Sequence, residues 1–393
     1  MQCWKSMTVY FVRSYQKWYY FRGTYCPNLQ GSVFLQNIGI NLHSNLADQL
    51  GPQITHKELH AHLNGSLSTK TLRELIELQK PLSDNSDATW NIWEAIIEHG
   101  QKRTLEECFQ IFGIAHSLTT TPATVYKATQ DVIKEFVDDG VRYLELRSTP
   151  RNVPQIMSKA QYIQAMVDAI QGMTDDQILV KLMVSIDRRQ GKESASETVD
   201  AAVVAYHQNP KIIVGLDLSG DPTKGLVSDY LPVLARGRNA GLKISIHCAE
   251  VPNSDEVEEI LNFHPDRLGH CTCIHPLHGG SQELWIKLLH SHIPVELCLT
   301  SNVKCGTVEN YKKHHFIHLF TAKHPIVLAT DDKGVFATSL SEEYVLAANS
   351  YDLSKEQLWK MTMSSIDYTF ASEEEKNRLK QMFMQIKELS DVQ

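Results

Sequence analysis

Past residue 50, β-rich apolar runs alternate with stretches of helical period, and the alternation repeats eight times. Candidate strands cover residues 55–62, 141–147, 178–186, 212–218, 242–248, 267–273, 293–299 and 325–330. Amphipathic segments lie between them. In the stretch from Pro122 to Phe136, the apolar positions Val125, Ala128, Val132 and Phe136 recur at helical spacing. Others cover residues 160–173, 195–207, 228–240, 254–263 and 281–291. Eight strand–helix repeats imply a closed (β/α)8 TIM barrel of class α/β. Residues 67–120 read as extra helices after the first strand, and 342–393 as helices after the last. No linker or internal repeat divides residues 51–393, which are expected to form a single barrel domain. Residues 1–50 are basic and aromatic with one acid, Asp48, and are expected to be a poorly ordered extension. A transit peptide or an extended translation start would each account for them.

Composition narrows the function classes. A formal charge of −8 argues against nucleic acid or an anionic membrane as partner, and leaves room for a small anionic ligand in a local basic pocket. No apolar run reaches the roughly 18 residues of a membrane span. Of the eight cysteines, several sit in apolar strand-like runs such as Val295-Glu296-Leu297-Cys298-Leu299. That pattern suits buried, reduced thiols in a cytosolic protein better than a disulfide framework.

Barrel enzymes carry their chemistry at the C-terminal ends of the strands. The first strand ends in His60-Ala61-His62, then Asn64. Strand side chains alternate faces, so the two imidazoles point the same way and can share one divalent metal. The other strands end in Leu144 to Arg151, in Ile186-Asp187-Arg188-Arg189, in Leu218-Ser219-Gly220-Asp221, in His247-Cys248-Ala249-Glu250, in Gly269-His270, in Thr300-Ser301-Asn302 and in Thr330-Asp331-Asp332. His60, His62, His247 and one aspartate of the last pair supply a nitrogen- and oxygen-rich donor set that suits catalytic zinc. Strand four ends in Gly220 and offers no lysine for a bridged second metal, so a single Zn2+ is expected.

In this order, the motifs His-x-His-Leu-Asn-Gly, Gly-Asp, His-x-x-Glu, Gly-His and Thr-Asp-Asp resemble the adenosine/AMP deaminase family of the metal-dependent amidohydrolase superfamily. The resemblance covers roughly residues 50–375 and is closest to its adenosine deaminase-like branch. It implies zinc-dependent hydrolysis of N6-methyl-AMP to IMP and methylamine, and a monomer. It further implies that His60, His62, His247 and Asp331 bind the metal, and that Glu250 protonates purine N1. His270 would orient and deprotonate the attacking water, Asp332 would hydrogen-bond the attacking hydroxide, and Gly220 would let backbone approach the purine. The other zinc deaminase class, with His-x-Glu and Pro-Cys-x-x-Cys, has no counterpart here.

The residues themselves favour a phosphate. Adenosine deaminases have Asp where this chain has Asn64. A carboxylate about 4 Å from a phosphate costs roughly 4 kcal/mol at an effective dielectric near 20, and Asn removes that cost. Ser148, Thr149 and Arg151, with Pro150 between them, offer hydroxyls and a guanidinium fork, and His116 a further donor over the mouth. Asp187 is expected either to contact substrate or to pair with Arg188 or Arg189. His62 and Asp332 would also touch substrate. The cluster His314, His315, His318 and His324 reads as helix surface, and Cys271-Thr272-Cys273-Ile274-His275 with His278 as a continued strand without zinc. Two other readings stay open: an adenosine deaminase for the free nucleoside, and an inactive barrel that binds nucleotides.

Overall fold

The computed structural model describes residues 10–14, 17–21, 56–80, 91, 105–173 and 177–391. Two compact units divide the chain, Met1–Gln49 and Leu50–Gln393. In the first, β1 (Tyr10–Ser14) and β2 (Lys17–Phe21) form an antiparallel hairpin. What was expected of the rest of residues 1–50 lies outside the described residues.

The second unit holds eight parallel strands: β3 (His56–His62), β4 (Val141–Ser148), β5 (Leu179–Asp187), β6 (Ile213–Ser219), β7 (Lys243–Cys248), β8 (Arg267–His270), β9 (Val295–Leu297) and β10 (Ile326–Leu328). They pair in chain order from β3 to β10. The sheet closes where Asp331 N donates to His60 O (2.8 Å) and His62 N donates to Asp331 O (2.9 Å). This is the expected (β/α)8 barrel. Its seam sets Asp331, in the left-handed region at φ 61°, opposite Ala61 and so between the two histidines.

The covering helices begin where the sequence caps them. Thr121 closes a capping box with Thr124 ahead of helix Pro122–Asp138, and Ser158 does so with Gln161 ahead of helix Lys159–Gln171. Leu216 of β6 faces helix Val227–Asn239 so closely that a Cβ on Gly237 would stand 2.2 Å from its Cδ1. Burying such a leucine contributes about 1.5–3 kcal/mol. The C-terminal segment closes the strand-start end of the barrel: Ile366, Ala371, Leu379 and Phe383 pack on Leu59, Tyr143 and Val327. Arg267 donates to Tyr368 O (2.8 Å) and lies over the Phe370 ring. The opposite, strand-end mouth carries the chemistry.

Three strands are shorter than expected, and β10 keeps only Ile326–Leu328 of the expected 325–330. β8 stops at His270 because Cys271 adopts φ 58° and turns the chain into a 3-10 turn, Thr272–Ile274, so Cys271 and Cys273 do not continue a strand. β9 stops at Leu297, and Thr300, Ser301 and Asn302 fall in a short helix, Leu299–Lys304. The barrel interior carries charge: Glu145, Arg147, Asp217, Arg267 and Glu296 are all fully buried. Burial without partners would cost each several kcal/mol, so they occur as a connected set. Arg147 spans Asp217 and Glu296 at 3.0 Å each, while Arg267 reaches Glu296 at 2.6 Å and also pairs with Glu145.

Candidate active site

The period of two that sends Glu58 into the barrel also sends His60 and His62 there. β7 brings His247, and the barrel seam brings Asp331. Donor atoms of these four side chains all lie within 4.8 Å of one another. Asp331 Oδ1 is 3.4 Å from His60 Nε2 and 3.5 Å from His62 Nε2, and His62 Nε2 faces His247 Nε2 at 3.2 Å. His60 Nε2 is buried with no hydrogen-bond partner. Burial pushes His62 down to about 3, leaving it neutral and able to ligate. Three imidazole nitrogens and one carboxylate oxygen, converging with unspent lone pairs, fit a divalent metal of zinc-like preference. A second grouping, His270, Cys298 and Asp331, shares Asp331. Burial pushes the Cys298 thiol well up, and a neutral thiol is a poor ligand.

Behind the donors lies a bridge that the strand-end reading passed over. His60 Nδ1 meets Glu296 Oε2 at 2.6 Å, and His247 Nδ1 stands 3.1 Å from Asp217 Oδ1. Arg147 joins those two carboxylates. The Glu296 hydrogen bond fixes the His60 tautomer and leaves its Nε2 for the metal, while the Asp217 carboxylate stands behind the His247 ring. Burial alone would raise both acids, yet Arg147 and Arg267 hold Glu296, and His247 and Arg147 hold Asp217, well below the usual carboxylate range. A charged residue inside the apolar triplet Val295-Glu296-Leu297 was the available signal.

The expected catalytic groups surround this cluster. Glu250 Oε2 is 3.9 Å from His270 Nε2, and burial raises its pKa. His270 Nε2 lies 3.8 Å from Asp331 Oδ2, which also accepts from Ser301 Oγ at 2.7 Å. Asp332 is buried, and its Oδ1 has no hydrogen-bond partner. Gly65 makes room for it, since a Cβ there would stand 1.6 Å from that oxygen. Burial and the neighbouring Asp331 charge push the Asp332 carboxyl well up. Gly220 has φ 98°, and a Cβ on it would stand 2.4 Å from Asp187 Oδ1.

The expected phosphate residues form one knot, with Thr119 and Tyr162 as members that the sequence did not single out. Asn64 Nδ2 donates to Thr119 Oγ1 at 2.8 Å, and Tyr162 OH donates to Asn64 Oδ1 at 3.2 Å. Ser148 Oγ meets Tyr162 OH at 2.8 Å. Arg151 Nη2 donates to Thr119 O and Oγ1, both at 2.8 Å, and to His116 O. Thr149 is half-buried and Pro150 buried beside them. Burial, helped by Arg151, pushes His116 down to about 4, so it enters as a neutral donor and not a cation. Asp187 pairs with Arg189 at 2.7 Å, while Arg188 pairs with Glu256.

The surface reading of the late histidines is corrected. His314, His315 and His324 are buried, and only His318 is half-exposed. Each buried ring finds a polar partner, which is what lets it be buried: His314 meets Asn302 Oδ1, His315 meets His270 O, and His324 meets Ile293 O. His275 stacks on His318 instead of converging with Cys273, and no metal grouping forms there among the described residues.

The adenosine deaminase family model matches residues 56–386, nearly the whole second unit. The chain belongs to the adenosine deaminase family. It is an aminohydrolase with the fold of that family. A Danio rerio relative named N6-methyl-AMP deaminase is 45% identical, over 87% of this chain and 98% of its own length. Two solved structures of an Arabidopsis relative superpose with a TM-score of 0.76 each. One, 40% identical and complexed with GMP, and the other, 39% identical and complexed with IMP, each cover 84% of this chain and 96% of their own.

Proposed function

We propose that this chain hydrolyses N6-methyl-AMP to IMP and methylamine, with one zinc ion held by His60, His62, His247 and Asp331. The observation that carries the nucleotide half of this reading is the knot around Asn64. Its hydrogen-bonding side chains are Asn64, Thr119, Ser148, Arg151 and Tyr162, with no carboxylate among them. The named relatives agree: one acts on N6-methyl-AMP, and another has been solved with purine nucleotides.

Zinc held at the four donors supplies Lewis acidity, which brings the pKa of water near 7. Glu250, whose burial raises its pKa and so favours the acid form, gives its proton to purine N1 and leaves C6 electron-poor. His270 orients the attacking water, and the unpartnered Asp332 Oδ1 accepts a hydrogen bond from it. Gly220 lets backbone lie against the purine, with Asp187 held aside by Arg189. Ser148, Thr149, Arg151 and the neutral His116 receive the phosphate, with the buried Pro150 among them. Cys248, Cys271, Cys273, Cys298 and Cys305 are free, as a cytosolic protein would have them. No helix among the described residues is long and apolar enough to cross a membrane.

A substrate panel tests the reading. N6-methyl-AMP is expected to turn over faster than AMP, adenosine or N6-methyladenosine, followed by purine absorbance. Faster turnover of adenosine would overturn the nucleotide half. Arg151→Ala is expected to raise KM for the nucleotide roughly 10- to 100-fold, the worth of a hydrogen bond to a charged group. KM for the nucleosides should barely move, and an equal rise for both would detach Arg151 from the phosphate.

A further inference from the structure

Two of the metal-donor histidines, His60 and His247, have a carboxylate behind them, but His270 does not. Its Nδ1 meets Asn302 Nδ2 at 3.1 Å, and Asn302 Oδ1 meets His314 Nε2 at 2.9 Å. Ring tautomers and amide orientations are settled by the hydrogen-bond network around them, and this network has one end that cannot be reversed. The backbone N–H of Phe316 can only donate, and it stands 3.0 Å from His314 Nδ1. His314 Nδ1 therefore accepts, and the ring proton is on Nε2. That N–H donates to Asn302 Oδ1, which turns the amide NH2 toward His270. His270 Nδ1 accepts in turn, so the proton of this ring is on Nε2, the nitrogen that faces Glu250 and Asp331.

The relay is also held in place mechanically. Asn302, His314, His315 and His270 are all buried. Asn302 O accepts from Val308 N (3.1 Å) and Thr307 Oγ1 (2.9 Å), which fixes its backbone. His315 Nε2 donates to His270 O at 2.7 Å and pins a residue whose φ of 59° is in the left-handed region. A buried polar group needs a partner in any protein. What a generic partner does not impose is direction, and here every member from Phe316 N–H to His270 Nδ1 has its direction set.

We propose that Asn302 and His314 are positioning residues that lock His270 in the Nε2–H tautomer, so that it meets the attacking water as a hydrogen-bond donor and not as its base. The consequence for turnover rests on the deaminase reading above, whereas the tautomer is a property of the protein alone. Within this scheme, Asp332 Oδ1 is the acceptor left to the attacking water.

Imidazole 15N–1H spectra of the full chain, with and without zinc, read the tautomer directly, and the resonance lost in His270→Gln assigns the signal. The expected result is an unprotonated Nδ1 on His270. A proton found on Nδ1 overturns the proposal. Asn302→Asp replaces the donor with an acceptor and is expected to move the proton to Nδ1. In that variant kcat should fall about 10²–10⁴-fold, the range in which a wrong tautomer or a lost proton-transfer group acts, with KM changed little. A moved proton with unchanged kcat also overturns it. Should Asn302→Asp fail to fold, His314→Gln and His314→Leu carry the test. The first keeps a donor to Asn302 Oδ1 and should retain both tautomer and kcat, and the second should lose both. Equal behaviour of the two would overturn the relay. If the tautomer is as expected while N6-methyl-AMP is not turned over, the substrate reading fails and the relay stands.

Discussion

Replacing Glu250 with Gln is expected to cut kcat about 10²–10⁴-fold while the protein retains its metal. The side chain keeps its size and can still form a hydrogen bond, but an amide has no proton to transfer to purine N1. Glu250 is not among the converging donors, so metal content measured by atomic absorption should be unchanged. The sign of its pH dependence follows from burial. Its pKa is raised, so the acid form persists to higher pH than an exposed glutamate allows, and that contribution is lost as pH rises through the raised value. The Gln variant should lack this limb. Near-normal kcat would remove Glu250 from the N1 position.

Replacing Glu296 with Gln is expected to cost stability and metal affinity together. Glu296 is fully buried and accepts from His60 Nδ1, Arg147, Arg267 and Ser245 Oγ. Removing its charge leaves two buried guanidinium groups short of a counter-charge, and breaking a buried pair in this way costs about 3–5 kcal/mol. It also loosens the aim of His60, and loss of such support typically weakens metal binding 10- to 100-fold. Urea denaturation and chelator competition measure the two effects separately. The acid response has a fixed sign as well. Arg147 and Arg267, acting against burial, depress the pKa of Glu296 well below 4.5, so its stabilisation is present above that unfolded value. It is lost as pH falls through the folded value. The Gln variant should show less loss of stability in that acid window. Unchanged stability and unchanged metal affinity would mean that the bridge through Arg147 does not support the site.

The strand-end motifs were legible because their geometry is local. Two histidines two residues apart on a strand share a face in any sheet. The eight strand ends of a barrel converge by the rule of that fold, so His247, His270 and Asp331 could be assembled without coordinates. Strand lengths were less legible. Cys271 and Leu299 are as apolar as a strand requires, and only the left-handed turn at Cys271 and the short helix at Leu299 ended β8 and β9. The late histidines looked like surface because histidine is polar, and their burial depends on partners such as Asn302 and the carbonyl of His270.

By itself, then, the sequence determined the barrel, the family motifs, the four candidate metal donors and the neutral residue Asn64 near them. All of these follow from periodicities and chemistry within a few residues. Only the tertiary structure decided how the donors are aimed. His60 and Glu296 lie 236 positions apart, and Arg147 and Glu296 lie 149 apart. No pattern within a strand encodes which charge on one side of a closed barrel meets which on the other. The direction of the relay from Phe316 through Asn302 to His270 has the same origin: a tautomer depends on which partner stands behind the ring, and that partner comes from a distant part of the chain.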